Sequence, residues 1–98
     1  MEVIDRVIQW HRDRNLIDGS DDETQVKKLL EEVIELTLDI KNSKPLLDEL
    51  GDCLVVLVNI AERNGFTLEE ALEFSYNKIK DRKGRMVDGF FVKEEDLK

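Results

Sequence analysis

The apolar residues of this chain recur at helical spacing in four segments, and short groups of turn-forming residues separate the segments. Apolar positions three and four residues apart lie on one face of an α-helix, so each segment predicts a helix with one buried face. We predict the first helix over residues 2–14, ended by a loop that contains Gly19. The second helix is predicted from a cap at Ser20 or Asp21 to about Lys41.

The third segment is the most apolar part of the chain. Its residues 54–58 are apolar on every face of a helix, which predicts the central helix of the fold. We place Pro45 in the first turn of this helix, where a missing backbone N–H is tolerated. The helix is predicted to run to about Arg63 and to stop at Asn64-Gly65 through a left-handed C-cap.

The last third of the chain combines one more helix with an extended segment. Thr67 and Glu70 have the spacing of a capping box, which predicts the start of a fourth helix. Gly84 is expected to loosen or end that helix. Residues 86–92 are apolar without a helical period, so we predict an extended tail that lies over a groove or a second subunit.

Four such helices predict an all-α subunit that resembles a four-helix bundle and ends in a short extended tail. Ninety-eight residues are enough for one domain, so residues 1–98 are predicted to form a single unit. The apolar stripe of the second helix is wider than a surface helix needs, and the apolar faces exceed what a small monomer can cover. We therefore expect a homo-oligomer.

The charge of the chain is strongly acidic and unevenly distributed. Fifteen basic residues stand against 23 acidic ones, for a net charge of −8, which argues against a nucleic-acid polymer as partner. Residues 18–52 hold eleven acids and four lysines, whereas residues 76–85 hold five bases and one acid. The acidic charge is therefore concentrated in residues 18–52, and a short basic segment follows at residues 76–85.

Cysteine content and hydropathy exclude several classes of protein. The single cysteine, Cys53, excludes an internal disulfide and a cysteine-rich zinc site, and its apolar neighbours favour an inert core thiol. The longest apolar run, residues 54–58, is far shorter than a membrane span. The first residues lack the pattern of a signal peptide, so a cytoplasmic protein without a membrane partner is expected.

Two pairs of carboxylates lie on the helices that we expect to be most buried. Glu32 and Glu35 share one ridge of the second helix, and Glu49 and Asp52 have the same spacing on the third. Antiparallel packing of the two helices could bring the pairs together, and such carboxylates would repel one another unless a cation compensates them. Ligands that are all oxygen favour Mg²⁺, with Mn²⁺ as a possible substitute, and Mg²⁺ bound in this way accepts substrate phosphates.

A simpler interpretation stays open for each pair alone, because acidic residues at this spacing are common on solvated helix faces. Two pairs on adjacent buried helices favour the metal site. Glu31 lies at the edge of the ridge, where it could support the site or simply be exposed.

These residues form a motif that matches a known family. The motif reads Gln25-x-x-Lys28-x-x-Glu31-Glu32-x-x-Glu35-Leu36, then Asp48-Glu49-Leu50-Gly51-Asp52, then Lys78-x-x-x-Arg82. It resembles the MazG-like all-α nucleoside triphosphate pyrophosphohydrolases, over roughly residues 10–85. The resemblance implies a helical subunit that assembles in pairs or fours, and whose acidic helices bind Mg²⁺. The bound metal would position a triphosphate for attack by water, giving a nucleoside monophosphate and pyrophosphate.

The resemblance also implies roles for individual residues. The residues implied as metal ligands are Glu32, Glu35, Glu49 and Asp52, and the family's activating base is one of these carboxylates. Glu31 matches the first acid of the motif and is therefore also a catalytic candidate. Because the chain has only one short repeat, the resemblance also suggests that a second subunit completes the site.

A triphosphate brings about four negative charges to an acidic site, so cations are needed on its far side. Lys78 and Arg82 match family positions that contact phosphates, and the i, i+4 spacing would place them on one face of the fourth helix. Arg85 would continue that face if the helix persists beyond Gly84, and Lys28 is a further candidate. The alternative is that this basic segment is a solvated helix end favoured by the helix dipole.

Three further residues have both a structural and a functional interpretation. Trp10 is either a core residue or a stacking surface for the nucleobase, as the resemblance suggests for aromatic residues of the first helix. Asn77 is either a surface residue or a contact to the sugar or phosphates. His11 is expected to be a partly buried packing residue.

The sequence therefore predicts a Mg²⁺-dependent enzyme that hydrolyses (deoxy)nucleoside triphosphates and removes non-canonical or surplus nucleotides. Two alternatives stay open: a relative that acts on phosphoribosyl-ATP, and a catalytically silent helical interaction module.

Overall fold

The computed structural model describes residues 2–97, which form four α-helices and a small C-terminal hairpin. The helices are α1 (Glu2–Asp13), α2 (Asp22–Lys41), α3 (Leu47–Arg63) and α4 (Leu68–Ile79). Two strands, β1 (Gly84–Val87) and β2 (Phe90–Lys93), and a 3₁₀ turn (Glu94–Asp96) follow. The fold is thus mostly helical, as predicted, with a small antiparallel sheet that was not predicted. Within the described residues, no helix has the length and apolarity needed to cross a membrane.

Helix α3 is the centre of the fold, because α1, α2 and α4 each pack against it. Its residues Val56, Val58 and Ala61 belong to the buried apolar core, together with Ile17 from the loop after α1. This confirms the prediction from the all-apolar run in the third helix. By packing on both α1 and α2, α3 also fixes which face of each helix is turned toward the core.

The predicted helix caps at Asp21, Thr67 and Gly65 are present. The Asp21 side chain accepts a hydrogen bond from the Thr24 N–H at 2.7 Å, which lowers the pKa of its carboxyl group. Thr67 and Glu70 form both hydrogen bonds of the capping box. Gly65 has a φ of +84°, the left-handed conformation that ends α3.

The start of α3 differs from the prediction. The helix begins at Leu47, so Pro45 lies before it in an irregular link and not in its first turn. Ser43 has a positive φ of 54° after α2, and the residues that follow must reverse the chain before a new helix can form. Pro45, with its fixed φ, lies in this connection.

The tail is extended, as predicted, and its two halves pair with each other; its placement over a groove or a second subunit stays a prediction. Met86 pairs with Phe91 and Val87 with Phe90 in an antiparallel hairpin. The turn residues Asp88 and Gly89 both have positive φ, at 52° and 86°, which is the geometry of a type I′ turn. Both faces of the hairpin carry apolar side chains, and Met86 and Phe90 are largely exposed.

Candidate metal centre and the groove beside it

Three carboxylates meet between α2 and α3. Glu32, Glu49 and Asp52 each offer an oxygen atom, and these atoms all lie within 4.8 Å of one another. All three residues are partly buried. Three of the four ligands that the resemblance implies are therefore brought together by the packing of two helices.

The sequence explains why these three side chains meet. Glu32 lies on the face of α2 that also carries Gln25, Leu29 and Leu36, which are less exposed than the residues between them. This face packs on α3, where Glu49 and Asp52 are one turn apart. The acidic pair of α3 thus faces Glu32 across the helix interface.

Hydrogen bonding, burial and nearby negative charge raise the pKa values of two of these carboxyl groups. The pKa of Glu49 rises from 4.5 to about 7, first because its protonated form can share a hydrogen bond with Glu32 and then because of burial and nearby negative charge. Burial, followed by the charges of Asp48 and Glu32, raises the pKa of Asp52. Burial and the negative charges of the three clustered carboxylates also raise the pKa of the Cys53 thiol, which disfavours a reactive thiolate.

An unpaired atom in the cluster fits a cation. Glu49 Oε2 is buried and has no hydrogen-bond partner among residues 2–97. A buried carboxylate oxygen without a donor is costly unless a proton or a metal compensates it. Because the donor set consists of carboxylate oxygens, the site fits a hard divalent cation such as Mg²⁺, which completes its coordination with water and phosphate oxygens.

Lys28 is the basic neighbour of this centre. Its Nζ lies 3.2 Å from Glu32 and 3.4 Å from Glu31, and these two carboxylates raise the pKa of the Lys28 ammonium group. Lys28 is half-exposed, so its charge is available at the edge of the centre. The role of Lys28 as a substrate contact stays a prediction.

Glu31 and Glu35 lie away from the three-carboxylate group. Both side chains are exposed, and Glu35 is outside the set of oxygens within 4.8 Å. Glu31 forms an ion pair with Lys28, which fits a supporting position at the edge. The roles of these two residues stay predictions.

The predicted basic face of α4 is wrong in its geometry. The helix ends at Ile79, so Lys78 lies in its last turn, Arg82 lies beyond it and Arg85 belongs to β1. The Lys78–Arg82 face needed a helix as far as Arg82, and its continuation to Arg85 needed one past Gly84, where the chain becomes a strand. Among residues 2–97, none of these three cations forms an ion pair with the metal-centre carboxylates. Asn77 is exposed on α4.

A groove of about 480 Å³ runs along α1 beside the metal centre. Its walls are formed by Val3, Arg6, Val7, Trp10, Asp52 and Val55. Asp52 belongs both to this groove and to the three-carboxylate group. A ligand bound at the centre through phosphates therefore has a partly apolar groove next to it for the rest of the molecule.

Trp10 is the aromatic residue of this groove and is 45% exposed. The guanidinium carbon of Arg14 lies 4.2 Å from the centroid of the Trp10 ring, and Arg14 also donates a hydrogen bond to the Trp10 carbonyl. The edge of His11 contacts the same ring, with 5.3 Å between centroids. Arg14 thus lies over one face of the indole, and Trp10 also forms part of the groove wall.

A buried hydrogen-bond network holds α1 in position on α3. His11 Nε2 lies 3.0 Å from the Val55 carbonyl, which can only accept, so this nitrogen carries the proton. Asn59 is fully buried, and its amide nitrogen donates to His11 Nδ1 at 3.2 Å and to the Leu16 carbonyl at 2.9 Å. His11 is therefore more buried than the partly buried packing residue we predicted, and it is hydrogen-bonded as well.

Two residues of this region were not selected from the sequence. Asn59 lies within an apolar helix, where a lone amide gives no periodic signal. Arg6 is one turn before Trp10 on the same helix face, a spacing that could have marked it once Trp10 was considered as a ligand contact.

Comparison with known proteins agrees with the centre. The model of the MazG nucleotide pyrophosphohydrolase domain matches residues 20–87, more than half of the chain. The chain belongs to the MazG family. This confirms the resemblance, although the match begins after α1 and not near residue 10. The MazG match contains every residue of the metal centre, whereas the α1 side of the groove lies outside it.

One relative of this MazG-family chain is a phage protein. It is an uncharacterized 18.2 kDa protein of the rep-hol intergenic region of Haemophilus phage HP1, 40% identical over 65 residues. The matched part covers 64% of this chain and 40% of the phage protein. No solved structure was found to match the chain.

Proposed function

We propose that this protein is a Mg²⁺-dependent nucleoside triphosphate pyrophosphohydrolase that converts (deoxy)nucleoside triphosphates to monophosphates and pyrophosphate. The observation that carries the proposal is the group of three carboxylates with the buried, unpaired Glu49 Oε2. Membership of the MazG family supports nucleotide pyrophosphohydrolase chemistry at this centre. Removal of non-canonical or surplus nucleotides in the cytoplasm is the biological role that we propose for it.

Glu32, Glu49 and Asp52 would hold the metal, with Glu35 as a proposed fourth ligand. Glu35 lies one turn from Glu32 and is exposed, so a change of rotamer can turn its carboxylate toward a cation at the centre. Bound Mg²⁺ would supply the positive charge that offsets the triphosphate and fixes its orientation.

The reaction is hydrolysis at the α-phosphorus. The oxygen of a water molecule bonds to this phosphorus, the bond to the bridging oxygen of the β-phosphate breaks, and pyrophosphate leaves with the bond electrons. The proton of the water passes to a carboxylate of the acidic group, which consists of the centre with Glu31 and Glu35.

The nucleoside would lie in the groove along α1. Asp52 joins this groove to the metal centre, and the partly exposed ring of Trp10 would offer a stacking surface for the base. Lys28 is placed to meet a phosphate at the edge of the centre. We propose that Asn77, Lys78, Arg82 and Arg85 contact the sugar or outer phosphates in a homodimer or homotetramer, where cations of one subunit can approach the centre of another.

Product analysis tests this proposal. Incubation with a panel of nucleoside triphosphates and Mg²⁺ is expected to release pyrophosphate and monophosphate in equal amounts. Phosphoribosyl-ATP is included in the panel as a separate substrate class. Release of orthophosphate in place of pyrophosphate would exclude the proposed reaction, and no turnover of any substrate would favour a silent interaction module.

A further inference from the structure

Arg6 has the chemistry of a base-reading residue in the groove along α1. Three of the six groove residues are valines, Asp52 belongs to the metal centre, and Trp10 supplies the stacking surface. The Arg6 guanidinium is thus the remaining polar group of the groove wall. Its contact with Glu2 is a 4.0 Å pair between two exposed side chains, which holds it only weakly.

The position of Arg6 on α1 directs it toward the edge of a base on Trp10. Arg6 precedes Trp10 by one helical turn, about 6 Å along the axis. Side chains of a helix lean toward its N-terminus, so the Trp10 ring covers the turn that carries Arg6. A base stacked on Trp10 in this groove would therefore have an edge within reach of the Arg6 side chain.

The donor pattern of arginine restricts which base edge fits. A guanidinium has only N–H donors, so it requires acceptors. The O6 and N7 atoms of a 6-oxopurine are two adjacent acceptors that arginine binds in a bidentate manner, whereas adenine places an amino donor at the same position. We propose that Arg6 recognises this edge and makes the enzyme prefer 6-oxopurine nucleotides to adenine nucleotides. This inference rests on the proposed function.

Deoxyinosine triphosphate and deoxyadenosine triphosphate form the matched substrate pair, because they share the purine ring system and differ at position 6. The wild-type protein is expected to show a kcat/KM about tenfold higher for deoxyinosine triphosphate, within the range of one bidentate contact. Arg6→Ala should make the two values equal. Arg6→Gln should reverse the preference, because glutamine binds the N6 and N7 atoms of adenine in a bidentate manner.

Lys44→Gln is the control, because it removes one positive charge from an exposed loop position and introduces the same residue. It should leave the preference unchanged. Equal wild-type values for the two substrates would overturn the proposal. An equal loss for both substrates in the Arg6 variants would also overturn it, since it would indicate a phosphate contact. Failure of the proposed function is separate: the wild-type protein would then release no pyrophosphate from either nucleotide.

Discussion

Glu49 is the residue in which the acidity of this chain has the clearest physical consequence. Its carboxyl group is close to Glu32 and Asp52, and one of its oxygens is buried without a hydrogen-bond partner in the described part of the chain. The same carboxylate can therefore hold a proton or contribute to a metal site, depending on pH. Three of the acidic residues that contribute to the net charge of −8 are the carboxylates of this centre.

The pKa of Glu49 predicts how stability changes with pH when metal is removed. Its value in the folded chain is raised from 4.5 to about 7, so the folded state binds the proton more tightly than the unfolded state. The stability that this proton contributes is present at low pH and is lost as the pH rises from about 4.5 to about 7. Thermal unfolding in a chelator should show this loss in the wild-type protein and a smaller loss in Glu49→Gln, where the raised pKa of Asp52 remains.

Added Mg²⁺ should reverse this trend, because a carboxylate must be deprotonated to bind metal. The increase in melting temperature that Mg²⁺ produces is expected to grow across the same pH window. A wild-type protein and a Glu49→Gln variant with parallel pH profiles would contradict the assignment of the raised pKa to Glu49.

At the scale of elements, the fold was predictable where the pattern was periodic. All four helices follow from apolar spacing and from caps such as Asp21 and the Thr67–Glu70 box. The hairpin was not predicted, because residues on both of its faces are apolar and no alternation is visible. The turn pair Asp88-Gly89 was the available signal.

The meeting of the three carboxylates was predictable from regular helical spacing, whereas the positions of the residues around them were not. The spacing of Glu49 and Asp52 and their antiparallel partner helix place three carboxylates together. The exposure of Glu35 and the groove residue Arg6 depend on how α1 and α2 are rotated on α3, which no local pattern determines.

The contact between α1 and α3 yields a stability prediction. Asn59→Ala would leave the Leu16 carbonyl and His11 Nδ1 without their donor inside the core. Loss of buried hydrogen bonds of this kind costs roughly 2–4 kcal/mol in the free energy of unfolding. Asn77→Ala, at an exposed position on α4, is the control and should change stability by less than about 0.5 kcal/mol. Equal effects in urea denaturation would show that the network does not hold the helices.

At the scale of the whole molecule, the subunit has more surface than a compact monomer. It exposes 7752 Å², whereas a compact protein of 11.4 kDa exposes about 5,800 Å². Its radius of gyration is 16.4 Å, against about 13 Å for a compact chain of this length. The excess is ample for a standard interface, which buries about 800 Å² on each partner.

The location of the apolar surface supports assembly. The exposed large apolar residues of α2 are Val26, Leu30, Val33, Ile34, Leu38 and Ile40. Sedimentation equilibrium is expected to give two or four times the 11.4 kDa subunit mass. Leu30→Lys and Ile34→Lys together should lower that mass, because they place charges on this face. A monomer at micromolar concentration in the wild-type protein would contradict the proposed oligomer.

The central claim is that Glu32, Glu49 and Asp52 hold a divalent cation that binds a nucleoside triphosphate. Calorimetric titration of Mg²⁺ into the protein with a nonhydrolysable triphosphate tests it most directly. The wild-type protein and the surface control Asp18→Asn are expected to bind with the same affinity, and Asp52→Asn to bind at least about tenfold more weakly because a charged ligand is lost. Unchanged Mg²⁺ affinity in Asp52→Asn would contradict the metal centre.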